Sequence, residues 1–281
     1  MGGRIERKFT ELDARGEAAL IPFIVAGDPN PDATRALVRE LEARGADLIE
    51  LGVPFSDPAA DGPANQRAIA RGLASGASLA AILAMVSELR RETEIPIVLF
   101  GYFNPILHYG CERLCTDAAR AGVDGLLVVD LPYEEAAELA RPARTEGLDL
   151  IYLLAPTTPI DRARAIARSG SGFLYYVLVT GVTGARTALA ADLEARVHEL
   201  RTVTDLPIGV GFGISTPEQA AEVARFADAV VVGSALSLII ERAGASRELT
   251  SAVGELVGAM KQAMREARGR TAAAVESPSD G

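Results

Sequence analysis

The chain has 281 residues, 49% of them apolar, with 27 glycines and 15 prolines, enough to build one large globular domain around a substantial core. Its net charge of −10, with no basic run, excludes the electrostatic footprint of a nucleic-acid binder. Two cysteines and two histidines leave too few soft ligands for a histidine-rich metal site, so chemistry has to come mainly from carboxylates, hydroxyls and backbone.

The first segment, MGGRIERKFTELDARG, reads as an N-terminal helix and lacks the apolar stretch of a secretory signal. Glu6 stands where a myristoylation signal wants Ser or Thr, and the longest apolar run, Ala229 to Ile240, falls short of the ~18 residues of a membrane span. These features predict a cytoplasmic protein. Eight short aliphatic or β-branched runs follow: LIPFIVAG from Leu20, DLIELG from Asp47, IPIVLFGY from Ile95, VDGLLVVD from Val123, LDLIYLLA from Leu148, GFLYYVLV from Gly172, LPIGVGFG from Leu206 and ADAVVVGS from Ala227. Between them lie segments of helical period such as PDATRALVRELEARG and DRARAIARSG. Strands apolar on both faces belong to a parallel sheet covered by helices. Eight β/α units in this length fit a closed (β/α)₈ TIM barrel with an extra N-terminal helix, spanning residues 1–268; an open doubly wound sheet is the alternative. The tail from 269 to 281, rich in turn formers and charge, is expected to be disordered. Cys111 and Cys115, four apart in a helical segment, read as ordinary packing.

In a barrel of this kind the active site lies at the C-terminal ends of the strands. Alternation along DLIELG puts Leu48 and Glu50 on one face and Ile49 and Leu51 on the other. If Leu48 fills the barrel, Glu50 stands one layer higher at its mouth, where partial desolvation raises a carboxylate pKa toward the range useful for proton transfer. The alternative, a glutamate paired with a barrel arginine, finds no Lys or Arg at the inward positions of the neighbouring strands. Asp61 lies eleven residues on, in a Pro- and Gly-stiffened loop; it can serve the same site or simply bond local amides, as Asp57 is expected to do. Near the other end, GFG (211–213) and GSA (233–235) close the last two strands. Ser234 is placed to cap the helical run SALSLIIERA, and exposed amides with the helix dipole make this a phosphate site. TGVTGAR, after the sixth strand, is a candidate lid with Gly181 and Gly184 as hinges. No three-residue metal cluster suggests itself.

Taken in order, PFIVAGDP, ELGVPFSDPAADGP, YFNP, DLP, TGVTGAR, GFGIS and GSA closely resemble the α subunit family of tryptophan synthase, over roughly residues 4 to 265. The resemblance implies a lyase that splits indole-3-glycerol phosphate into indole and glyceraldehyde 3-phosphate with no cofactor of its own. It also implies a pyridoxal-phosphate β subunit as partner, in an αββα assembly that passes indole internally. By the same resemblance Glu50 is the general acid and base, Asp61 faces the indole nitrogen, and Tyr175 is the active-site tyrosine. Gly184, Gly213, Gly233 and Ser234 hold the phosphate; Phe23, Phe100, Tyr102, Val129, Leu153 and Phe212 line the indole pocket. Pro54, Asp57 and Asn104, the last taken to end the third strand, are expected on the rim that meets the partner. Val25, Leu178 and Tyr133 depart from the family pattern, Val25 removing a hydroxyl that could orient Glu50. Three other readings remain at this point: a free-standing lyase, a non-catalytic sensing subunit, and another phosphate-binding barrel.

Overall fold

A computed structural model of the chain describes residues 2–177, 186–211 and 213–276. The elements run α1 (Arg4–Ala14), β1 (Ala19–Val25), α2 (Pro31–Ala43), β2 (Ile49–Gly52), α3 (Pro63–Ala74) and α4 (Leu79–Leu89). They continue through β3 (Ile97–Gly101), α5 (Phe103–Tyr109), α6 (Cys111–Ala121), β4 (Gly125–Val128), α7 (Ala137–Thr145) and β5 (Asp149–Leu154). The remainder is α8 (Ile160–Ser169), β6 (Leu174–Val177), α9 (Arg186–Arg201), β7 (Ile208–Gly211), α10 (Pro217–Ala224), β8 (Ala229–Val232), α11 (Ser234–Ala243) and α12 (Leu249–Glu276). Each strand pairs in parallel with the next and β8 pairs with β1, so the sheet is closed: the barrel, and not the open sheet, is what forms. All eight runs predicted as strands are strands.

The strands are apolar on both faces because each face meets a different core. Ala19, Ile21, Leu48, Val98, Leu127, Ile151, Phe173, Ala229 and Val231 pack together inside the barrel. Leu20, Ile24, Ile49, Leu51, Leu99 and Leu126 pack outward against the helices. The inward set also contains Ile5, Phe9 and Leu12 of α1, which therefore plugs the barrel's N-terminal end, with the Phe9 and Phe173 rings 5.8 Å apart. Both cysteines are buried in α6, where they serve packing.

At that same end one device repeats. Asp47, Asp124 and Asp228 each accept an amide at the start of a neighbouring strand, from Leu20, the second residue of β1, and from Ile97 and Ile208, the first of β3 and β7, at 2.8 Å in every case. Each carboxylate is balanced by a cation reaching in from outside, Lys261, Arg90 and Arg201 respectively. These pairs satisfy strand ends that the ladder leaves open.

The last helix differs from expectation. α12 stays helical to Glu276, past the point where a tail was to begin, because RTAAAVE is rich in alanine, the best helix former. Among the described residues no single helix is long and apolar enough to cross a membrane.

Candidate active site

β2 ends in Glu50, whose register partners are Phe23 on β1 and Val98 on β3. Inward parity turns its side chain into the barrel above Leu48, as the alternation along DLIELG requires. The site is drier than expected: Glu50 is 0% exposed, and neither carboxylate oxygen finds a hydrogen-bond partner among the described residues. Val25, buried at the end of β1, brings no hydroxyl to it. With no cation or donor to offset desolvation, burial pushes the Glu50 carboxyl from 4.5 up to about 8. At neutral pH Glu50 therefore holds its proton.

Asp61 lies in the loop after β2, and the fold brings it back over the barrel mouth. Tyr102, at the end of β3, donates its hydroxyl to Asp61 Oδ2 at 2.5 Å and accepts the Ala60 amide at 3.0 Å. Burial leaves the Asp61 carboxyl raised, with hydrogen bonding, from Tyr102 above all, offsetting part of the rise. The two carboxylates thus have different environments: Glu50 has burial alone, and Asp61 has burial with the Tyr102 hydroxyl bonded to it. Divergent environments of this kind separate an acid from an electrostatic stabiliser.

Beside Asp61 opens a cavity of about 240 Å³, lined by Phe23, Phe100, Val129, Tyr175, Asp61, Asn65, Gly213, Gly233 and Ser234, among others; Glu50 itself is not in the lining, but its register partner Phe23 is. The Phe23 and Phe100 rings meet edge to face at 4.9 Å and form an apolar wall suited to a planar aromatic. Tyr175 projects inward from β6, buried, and its hydroxyl packs against Gly211. A Cβ built on Gly211 would stand 2.1 Å from that oxygen, so any side chain there would displace Tyr175.

The opposite wall carries the anion features. Gly233, a residue without a side chain to cap with, is the N-cap of α11, and Ser234 is the first helical residue, one position later than expected. The first amides of a helix have no intrahelical partner, and here they open onto the cavity beside Gly213.

The predicted residues thus gather in large part. Phe23, Asp61, Phe100, Val129, Tyr175, Gly213, Gly233 and Ser234 share one cavity. Leu153 is packed against the barrel core and does not line it, and Tyr102 acts through Asp61. Gly184, Phe212, Leu178 and the hinge Gly181 lie outside the described residues. On the rim Asp57 and Asn104 are exposed; Pro54 is buried, and a Cβ on Gly72 of α3 would stand 2.9 Å from its ring, so Pro54 supports the loop from beneath. Asn104 sits in the first turn of α5, since a short helix begins directly after β3. Asn65 and Val231 were missed by sequence reasoning. Val231 was legible from inward parity on β8, whereas Asn65 had no signal beyond lying one helical turn past Asp61.

A larger cavity, about 770 Å³, lies at the plugged end between α1 and the strand starts. Its Asp228, Arg201 and Arg268 are spent on backbone groups or on one another, so it is structural. No group of three or more His, Cys, Asp or Glu that could hold a metal occurs among the described residues.

This arrangement can be compared with known proteins. The family model described as tryptophan synthase alpha chain matches residues 9–265. This chain belongs to the tryptophan synthase alpha chain family. It is 60% identical to the tryptophan synthase alpha chain of Citrifermentans bemidjiense, over 92% of this chain and 97% of that protein. Among solved structures, tryptophan synthase subunit alpha from Legionella pneumophila superposes with a TM-score of 0.88 at 41% identity, covering 95% of this chain and all of that one. A chain of Mycobacterium tuberculosis tryptophan synthase gives 0.85 at 34% identity, covering 94% and 99%.

Proposed function

We propose that this family member cleaves indole-3-glycerol phosphate in the cytoplasm to indole and glyceraldehyde 3-phosphate, and hands the indole to a pyridoxal-phosphate β subunit for tryptophan synthesis in an assembly of two α and two β chains. The single observation that carries the reading is the cavity lined by the hydrogen-bonded Asp61 and by Phe23, the register partner of the buried, proton-bearing Glu50.

The bond to break joins indole C3 to a carbon that bears a hydroxyl. Protonation at C3 by Glu50 gives a ring cation and leaves Glu50 as a carboxylate. That carboxylate then takes the proton of the adjacent hydroxyl as the aldehyde forms, and the C–C bonding electrons return to the ring. Glu50 ends protonated, as it began. Positive charge develops meanwhile at the ring nitrogen, where an ionised Asp61 stabilises it by accepting a hydrogen bond from the N–H, whose proton stays on the nitrogen of the product indole. Phe23 and Phe100 hold the ring; the amides at the start of α11, with Gly213, Gly233 and Ser234, hold the phosphate dianion. Every step uses this chain's own residues, and pyridoxal phosphate belongs to the partner's chemistry.

Glu50→Gln keeps the shape and removes the proton transfer, which contributes about 10²–10⁴ in rate. Indole release by the complex with β should fall by that factor, while binding of glycerol phosphate, measured by calorimetry, stays near the wild-type value. Retention of more than a tenth of the activity would remove Glu50 from the mechanism.

A further inference from the structure

The aromatic wall of the cavity is made by two rings from strands that do not touch. Phe23 is on β1 and Phe100 on β3, with β2 between them, yet the rings meet edge to face at 4.9 Å. The residue that β2 places between them is Gly52, two positions after Glu50, on the same inward parity and in register with Phe100. A Cβ there would stand 2.9 Å from Phe23 Cζ, so the edge of that ring fills the place of the missing side chain. At its other end the Phe23 ring lies against Gly233, where a Cβ would stand 3.2 Å from Cδ1. Phe23 is 4% exposed, wedged between two glycine backbones and packed with Val25, Ala68 and Ile69. It has no room to retreat. Phe100, half-buried and facing the cavity, is braced against it.

The barrel fixes which part of the substrate meets this wall. Strands β4 and β8 are four apart in either direction around a closed ring of eight, so Val129, directly after β4, stands across the mouth from Gly233 and Ser234, directly after β8. With phosphate on the amides of α11, the substrate extends across the mouth toward β3 and β4. Its far end, the benzo ring of the indole, then comes against Phe100 and Val129. Neither side chain carries a polar group, and the ring behind Phe100 cannot give way.

We propose that Phe100, braced by Phe23 over Gly52, is a specificity-determining residue that confines the reaction to indole-3-glycerol phosphate with an unsubstituted benzo ring. The proposal rests on the function argued above and deepens it. A methyl group added to the benzo ring meets a wall already packed from behind, where extra volume forces strain. A single carbon more or less in an apolar pocket is worth about 10–200-fold in discrimination.

The test uses the complex with the β subunit and reads glyceraldehyde 3-phosphate, the product common to every substrate. Wild-type enzyme is first assayed on indole-3-glycerol phosphate; no product would remove the function itself, and this proposal with it. Given that activity, kcat/KM is measured for substrates carrying a single methyl group at each carbon of the benzo ring in turn. Wild type should prefer the parent over at least one of these isomers by about tenfold or more. Phe100→Leu removes the ring and keeps an apolar side chain, and should narrow that preference about fivefold or more for the same isomer. Phe23→Leu leaves Phe100 in place with room to move back, and should narrow it in the same direction. The readout is a ratio within each variant, so a general loss of activity does not imitate it. Melting curves establish that each variant is folded, and if one is not, the other carries the test. Equal kcat/KM for the parent and all methyl isomers in wild type, or the wild-type preference in folded Phe100→Leu, would overturn the role of Phe100. The wild-type preference in folded Phe23→Leu would overturn the brace.

Discussion

At the scale of the residue, the feature that matters most is a carboxyl with nothing to hold. A glutamate buried without a partner costs stability once it ionises, and the fold tolerates that at Glu50. Because burial lifts its pKa from 4.5 to about 8, the folded state binds a proton that the unfolded chain releases between those values. The stability contributed by that proton is fully present below about pH 4.5 and is lost as pH rises through about 8, by several kcal/mol in all. Glu50→Gln cannot ionise. Its melting temperature relative to wild type should therefore climb from pH 5 to about pH 8 and level off above it, whatever constant cost the buried amide adds. Parallel pH dependences for the two proteins would show that Glu50 is ionised, or solvated, in the fold. In the proposed mechanism, the retained proton is what lets the same residue act first as an acid.

At the scale of the element, the strands and helices have different duties. The strands deliver side chains inward at set heights: Leu48 below Glu50, Phe173 below Tyr175, Ala229 below Val231. The helices hold the loops that complete the site. α3 follows the Asp61 loop directly, and it is fastened at Asp28 and Glu241 through Arg71. Asp28 is 1% exposed and its largest influence is desolvation, so the arginine fork is what makes its charge tolerable. Arg71→Ala leaves that carboxylate buried and unpaired, and should lower the unfolding free energy by about 3 kcal/mol in a denaturant titration. A loss under about 0.5 kcal/mol, the range of an exposed pair, would mean that solvent replaces the guanidinium.

At the scale of the whole molecule, the barrel separates stability from chemistry by its two ends. The N-terminal end is sealed by α1 and by the aspartate pairs under the strands, and the C-terminal end carries cavity, carboxylates and rim. Asp57 and Asn104 stand exposed on that rim, Asp57 in the loop after β2 that also carries Asp61, and Asn104 in the first turn of α5, two residues after Tyr102. A β subunit seated there would restrict the Asp61 loop. Weak indole release by the chain alone should rise on adding β, by roughly 5–150-fold for a typical coupling energy. Asp57→Ala or Asn104→Ala should lose that activation with the unassisted rate nearly preserved. An isolated chain already running at the rate of the complex would instead favour the free-standing lyase.

Sequence by itself determined the elements, because strand and helix periods are local properties of the chain: eight aliphatic runs, the inward parity of Glu50 and the glycine turns of GFG and GSA can all be read within a few residues. The family motif named the chemistry of Glu50 and Asp61 but not their environments. Tertiary structure alone decided that Glu50 has no partner among the described residues, that Tyr102 reaches Asp61, and that Ser237 bonds to Asn65 although 172 positions separate them. It also decided that Pro54 is buried against α3 and that Leu153 packs on the barrel core without lining the cavity. The physical reason is common to these cases. Desolvation and hydrogen bonding depend on which segments meet in space, and closure of the barrel brings together loops whose separation along the chain carries no trace of the encounter.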